Sequence, residues 1–164
     1  MNHSVHFEKY CHSPFPESQN FPYKFNGVPL TFSPAAYDTI KLHLKNTQTT
    51  FDDYDLILTG DLGFVGSELL KDLFLQDGIT LGENYNDCGL MLFDREKQDV
   101  HAGGSGCGCS ASVLCGYVLD KVRNGELRNV LFAATGALMS TTLVQQGESI
   151  PGISHAVHIS SEKG

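Results

Sequence analysis

The feature that most constrains this chain is a short apolar run closed by Thr-Gly, which occurs twice. Tyr54-Asp55-Leu56-Ile57-Leu58-Thr59-Gly60 is one and Asn129-Val130-Leu131-Phe132-Ala133-Ala134-Thr135-Gly136 is the other. Runs of this length ended by glycine read as strands buried on both faces, which belong in parallel sheets. Helical patterns lie between them. Ser33-Pro34 opens a helix over 34–46 that repeats Tyr37, Ile40 and Leu44 at +3 and +4. Ser67 is placed to cap Glu68–Gln76, where Leu69, Leu70, Leu73 and Leu75 are apolar and Gly78 marks the stop. Ala111–Val122 predicts a third helix with Ala111, Leu114, Cys115, Val118 and Val122 on one side. Leu90-Met91-Leu92-Phe93 reads as a strand or short apolar element, and Ser154–Ile159 as a strand exposed on one face. Alternating β and α elements predict a layered α/β domain with a mostly parallel sheet.

With 164 residues, 41% of them hydrophobic, the chain has the size of one domain. Residues 1–30 carry neither a period of 2 nor of 3.6, and Pro14, Pro16, Pro22 and Pro29 interrupt any helix. They read as an irregular leader before an ordered 31–164. The formal net charge of -8 opposes polyphosphate, which argues against a nucleic-acid partner. Residues 52–94 hold ten acids against the single base Lys71, a pattern that predicts a solvated acidic face. Neither a membrane span nor a secretory signal is visible, so the chain is expected to be unexported. Five cysteines, three of them within nine residues, fit a reducing compartment better than a disulfide framework.

Chemistry concentrates in His101-Ala102-Gly103-Gly104-Ser105-Gly106-Cys107-Gly108-Cys109-Ser110-Ala111, which runs into the third helix. Its glycines let the backbone turn so that N–H groups at the helix N-terminus can meet a carboxylate or phosphate. They would equally let a buried helix pack closely. The Gly104-x-Gly106 pair lacks the third glycine of a dinucleotide fingerprint. Cys107 and Cys109 stand too close together for a zinc site, so no metal is expected. As a nucleophile, either could draw on a lowered thiolate pKa, with His101, His155 or His158 as a distant base. Cys115 is expected in the core. Asp52-Asp53-Tyr54-Asp55 lacks the glycine and terminal glutamate of a calcium loop and reads as a polar lead-in to the strand. Gln145–Gly152 reads as a surface or cleft loop between two strands.

Six strings in order carry a resemblance: Ser33–Lys41, Asp53–Leu62, Asn86–Met91, Ala102–Ala111, Ala134–Ser140 and Gln145–Gly152. Together they resemble the stage V sporulation protein AD family of spore-forming Firmicutes, a family with a thiolase-like fold. The resemblance spans residues 33–160 and covers only the carboxyl-terminal half of a family member; residues 1–30 do not share it. It implies a three-layer half of a thiolase-like αβαβα fold, with helices on both faces of a mostly parallel mixed sheet. Two such halves bury their central helices against one another. A lone half would therefore expose a helix face, here expected to carry Leu114, Cys115, Val118 and Val122. It would call for an amino-terminal half or a second copy of the chain.

The resemblance also implies a ligand, dipicolinic acid, alone or as its calcium chelate, and a role in moving it during sporulation and spore germination. The implied setting is the forespore or spore, peripheral to the inner membrane, beside other transport proteins of that membrane. Condensing enzymes of this fold place a catalytic histidine just after the strand corresponding to Asp55–Thr59, where this chain has Gly60-Asp61. Gly60 can donate nothing, and an anionic Asp61 opposes the charge that develops on a thioester oxygen. The resemblance thus implies a binding protein with no catalytic residue and no cofactor. The residues that would line its cleft are Thr59, Asp61, Gly104, Ser105, Gly106 and Cys107. The other readings are an acyltransferase using Cys107 or Cys109 and an inactive truncated fragment.

Overall fold

The structure, a computed structural model, describes residues 4–10, 24–25, 28–29, 32–137, 142, 145–146 and 152–162. In chain order these form β1 (Ser4–Tyr10), a small hairpin of β2 (Lys24–Phe25) and β3 (Val28–Pro29), and α1 (Phe32–Thr47). There follow β4 (Leu56–Thr59), α2 (Gly63–Gln76), β5 (Tyr85–Asp87) and a one-turn α3 (Cys88–Met91). The third long helix has three consecutive parts, α4 (Cys107–Val113), a π turn (Leu114–Val118) and α5 (Leu119–Arg123). Two long strands, β6 (Asn129–Ala137) and β7 (Gly152–Glu162), end the described chain.

Five strands make one sheet in the order β1-β7-β6-β4-β5. β4 pairs in parallel with β5 on one side and with β6 on the other. β7 returns antiparallel to β6, and β1 adds antiparallel to β7. Two of the four pairings are therefore parallel, which corrects the mostly parallel sheet expected from the sequence. The alternation of β and α holds as far as β6, after which β7 returns antiparallel.

Successive strand residues point to opposite faces, and each face has its own core. Ile57, Leu131, Ala133 and Ala156 meet Ala36 and Ile40 of α1 and Leu70 and Phe74 of α2. Leu58, Val130, Phe132 and Ile159 meet Cys109, Val113, Val118 and Val122 on the other side. The sheet is thus covered by α1 and α2 on one face and by α4–α5 on the other. Each fully buried Ile, Leu or Val contributes about 1.5–3 kcal/mol.

The predicted helix over 34–46 and the two Thr-Gly strands are present. α2 starts five residues before Glu68, and Ser67 lies buried inside it rather than at its cap. Its stop is as expected. Gly78 takes φ +76°, its N–H bonds to the Leu75 carbonyl, and the Ile79 N–H bonds to the Phe74 carbonyl. This pair of bonds satisfies two of the terminal carbonyls of the helix. Leu75, one of the apolar residues read in this helix, is 59% exposed.

Three expectations are corrected. Ser4–Tyr10, read as part of an irregular leader, is a strand, because its seven residues pair with β7 from Ser4↔Glu162 to Tyr10↔Ala156. Leu90–Phe93, read as a strand or a short apolar element, is not the strand. The strand lies earlier, at Tyr85–Asp87, and the Asp87 side chain accepts the Gly89 N–H and turns the chain into α3. Third, the helix after the glycine loop does not bury Ala111 and Cys115, which are exposed. Its buried residues are Cys109, Val113, Val118 and Val122, which step by four, five and four. The five-residue step falls on the π turn, which inserts one residue into the 3.6-residue period. Most of the Gln145–Gly152 loop lies outside the described residues. Of the ten acids in 52–94 most are exposed as expected, but Asp87 is fully buried.

Candidate functional site

The carboxyl ends of β4, β5 and β6 meet the glycine loop at one edge of the sheet. β4 is flanked by parallel strands on both sides, and the crevice at the carboxyl ends of such strands is where open α/β sheets take ligands. The sequence folds this way around a single buried carboxylate. Asp87 Oδ1 accepts the N–H groups of Gly63 and Gly89, both at 2.9 Å. Its Oδ2 accepts the Thr59 hydroxyl at 2.7 Å and the Leu62 N–H at 3.0 Å. One side chain at the end of β5 thereby fixes the turn after β4, the start of α2 and the start of α3. Burial pushes the Asp87 carboxyl up, and the four hydrogen bonds pull it back.

The glycine loop is drawn onto this frame by backbone contact. The Gly104 N–H donates to the Gly89 carbonyl at 2.7 Å, and the Phe64 N–H to the Ala102 carbonyl at 2.7 Å. A Cβ on Gly89 would stand 2.3 Å from the Gly104 carbonyl oxygen, and one on Gly63 would stand 2.7 Å from that of Ala102. Gly63 also has φ +64°. Gly63→Ala is therefore expected to lower stability by about 2 kcal/mol, from a left-handed alanine and a backbone clash together. Thermal unfolding measures it, and a change under 0.5 kcal/mol contradicts the close approach.

The residues singled out from the sequence separate into two groups. Thr59 is fully buried and committed to structure, with its hydroxyl shared between Asp87 and the Tyr85 hydroxyl at 3.0 Å. Gly104 is buried against Cys109, Leu92 and Phe93. Asp61, Ser105 and Gly106 lie closer to solvent, and Cys107 begins α4. Asp61 and Gly106 are in contact: Asp61 Oδ2 accepts the Gly106 N–H at 2.9 Å. Asp61 Oδ1 accepts the Thr135 hydroxyl of β6 at 3.2 Å. The loop N–H groups were expected to be free for an anion. One of them instead carries this chain's own carboxylate, because the turn after β4 places Asp61 directly beneath the loop.

Sequence reasoning missed Thr135 and Asp87. Asp87 looked like one more acid in an acidic run, and its four donors come from Thr59, Leu62, Gly63 and Gly89, none marked by a spacing rule.

The acyl-transfer equipment fares poorly. A Cβ on Gly60 would sit 3.2 Å from the Ser110 hydroxyl and 3.3 Å from the Thr135 nitrogen, so any side chain there would need its neighbours to give by a few tenths of an ångström. Cys109 is 3% exposed, and burial, with Asp87 and Asp61 nearby, pushes its thiol up rather than down. Cys88, also buried, is pushed up to about 12 by burial first and then by Asp87. His101 is exposed on the loop surface, 3.7 Å from Asp99. His158 packs against Tyr54 on the α1 face, across the sheet from Cys109. Among the described residues no group of three or more His, Cys, Asp or Glu side chains could hold a metal ion. No described helix is long and apolar enough to cross a membrane.

Comparison with known proteins adds the family. The family model described as stage V sporulation protein AD matches residues 26–160. Stage V sporulation protein AD of Bacillus subtilis (strain 168) is 51% identical over 125 residues, which cover 76% of this chain and 37% of that protein. The chain thus spans little more than a third of the length of this curated relative. The match takes in α1, the βα frame around Asp87, the glycine loop and the β6–β7 pair, and the chain belongs to the stage V sporulation protein AD family of sporulation proteins.

Proposed function

We propose that this chain is a thiolase-like half that handles dipicolinic acid, alone or as its calcium chelate, without catalysing a reaction on it. The reading places it in the forespore or spore, peripheral to the inner membrane, where it serves dipicolinate movement in sporulation and germination. The observation that carries it is the glycine at position 60. The position where a condensing histidine would act holds no side chain, while the adjoining loop keeps a carboxylate hydrogen-bonded to its backbone through Asp61. A loop that holds one carboxylate by an N–H has the chemistry to hold another.

A partner belongs to this reading. The exposed residues of α4 and the π turn are Gly108, Ala111, Ser112, Cys115, Gly116 and Tyr117. All but Tyr117 are small, which suits close approach by another helix, and Tyr117 adds an aromatic contact at its end. This face replaces the expected apolar one, since Val118 and Val122 are used in this chain's own core. An amino-terminal half or a second copy would cover it.

Calorimetry with dipicolinate, on the chain alone and after adding an amino-terminal half from a relative, tests the reading. Saturable heat in either case is expected. Heat only in the reconstituted sample makes the pocket a property of the two halves, and heat in neither overturns the reading. Covalent labelling of Cys107 or Cys109 by an acyl-thioester analogue would favour an acyltransferase instead.

A further inference from the structure

Beside the glycine loop, Arg95 is held on two sides. Its guanidinium lies over the ring of Phe64, 4.0 Å from the ring centre, and its Nε donates to the His101 carbonyl at 3.0 Å. His101 turns the loop there with φ +46°. Stacking and one backbone bond hold the guanidinium in place, and neither uses an Nη hydrogen bond.

The surroundings set Arg95 apart. Nearby cations are spent on neighbouring acids, Lys71 on Glu68 and Lys97 on Asp94, whereas among the described residues no carboxylate pairs with Arg95. The rim beside it is apolar and open. Phe64 is 42% exposed, Leu92 39% and Phe93 37%, and the last two lie against Gly104 of the loop. A pre-oriented guanidinium next to exposed rings is the pairing that recognises an aromatic carboxylate, with two parallel N–H···O bonds and an apolar floor.

We propose that Arg95, seated on Phe64, is the group of this rim that recognises the ligand's carboxylate. This rests on the dipicolinate reading above and adds the residue that would meet the ligand first. Ten acids in residues 52–94 repel a dianion, so an incoming carboxylate gains from a cation at the rim of the loop.

The test is an NMR titration of the full chain with dipicolinate, following the Arg95 Nε–H and the Ser105 to Gly108 amides. Arg95→Gln and Arg95→Lys run in parallel, and benzoate serves as a probe with a single carboxylate. Arg95 Nε–H is expected to shift saturably with both compounds. Arg95→Gln should weaken dipicolinate about tenfold, the scale of one charge-assisted pair, and Arg95→Lys should recover less than half of that loss. A silent Arg95 Nε–H, or unchanged affinity in Arg95→Gln, overturns the proposal. Shifts in the loop amides alone sink it and leave the loop reading standing. Shifts at Arg95 alone support it and sink the loop reading, and silence at both sinks both.

Discussion

Replacing Asp87 by alanine is expected to cost about 3–5 kcal/mol, much of the 5–15 kcal/mol that holds a domain of this size. The carboxylate is fully buried and accepts from Thr59, Leu62, Gly63 and Gly89. Alanine leaves three backbone N–H groups without an acceptor in a region water enters poorly, while the Thr59 hydroxyl keeps only the Tyr85 hydroxyl and the distant Asn86 carbonyl. Asparagine should cost less, about 1–2 kcal/mol. Its oxygen can keep the bonds to Gly63 and Gly89, the Thr59 hydroxyl can turn to accept from the amide, and only the Leu62 N–H then faces another donor. Urea unfolding of the three proteins gives the ranking. An alanine variant within 1 kcal/mol of the parent would show that the three loops hold together without this carboxylate. If dipicolinate does bind at the glycine loop, the asparagine variant should still bind it, because the frame survives.

Asp87 also shows where the sequence stops being legible. Apolar runs and helix punctuation disclose α1, β4, β6 and the stop of α2, because these depend on local patterns: Ile57 and Leu58 buried on opposite faces, Ser33-Pro34 at a helix start, Gly78 at a left-handed turn. Residues whose partners are distant stay hidden. Asp61 meets Gly106 across 45 positions and Thr135 across 74, and neither separation leaves a motif. β1 escaped for the same reason. Its order comes from pairing with β7, about 150 residues away in the chain, and the prolines that follow mask it. The π turn escaped because a reading at 3.6 residues per turn has no place for a five-residue step. Leu92 and Phe93 looked like strand residues because they are apolar, but they serve as cover for Gly104. The glycine loop was legible as a place, yet both of its readings hold at once. Gly89 and Gly104 permit close packing, and Gly106 offers a backbone N–H to a carboxylate.

The second large effect is expected from acid. His43 on α1 is 1% exposed, and its Nε2 lies 2.7 Å from the Tyr54 hydroxyl. The Tyr54 ring also takes the edge of His158, which lies 3.8 Å from Glu8 of β1. Burial is the main cause that lowers the His43 pKa to about 4, with His158 lowering it further and Glu8 opposing. The unfolded chain, with an ordinary histidine near 6.5, therefore takes up this proton before the folded chain does. The stability that neutral His43 allows is complete above about pH 6.5 and is lost as the pH falls from there toward 4. Two and a half pH units at about 1.4 kcal/mol each bring the loss to roughly 3 kcal/mol. His43→Gln keeps a polar group within reach of the Tyr54 hydroxyl and cannot charge. Urea unfolding at pH 7.5 and 4.5 should show the parent losing about 2–3 kcal/mol more than this variant across the interval, while carboxylate titrations common to both cancel in the difference. Parallel pH profiles for the two proteins would place the acid sensitivity elsewhere. A steeper profile for the parent would make the α1–β7 contact at His43 the first part of the domain to fail in acid, on the face of the sheet opposite the α4 helix proposed to meet a partner.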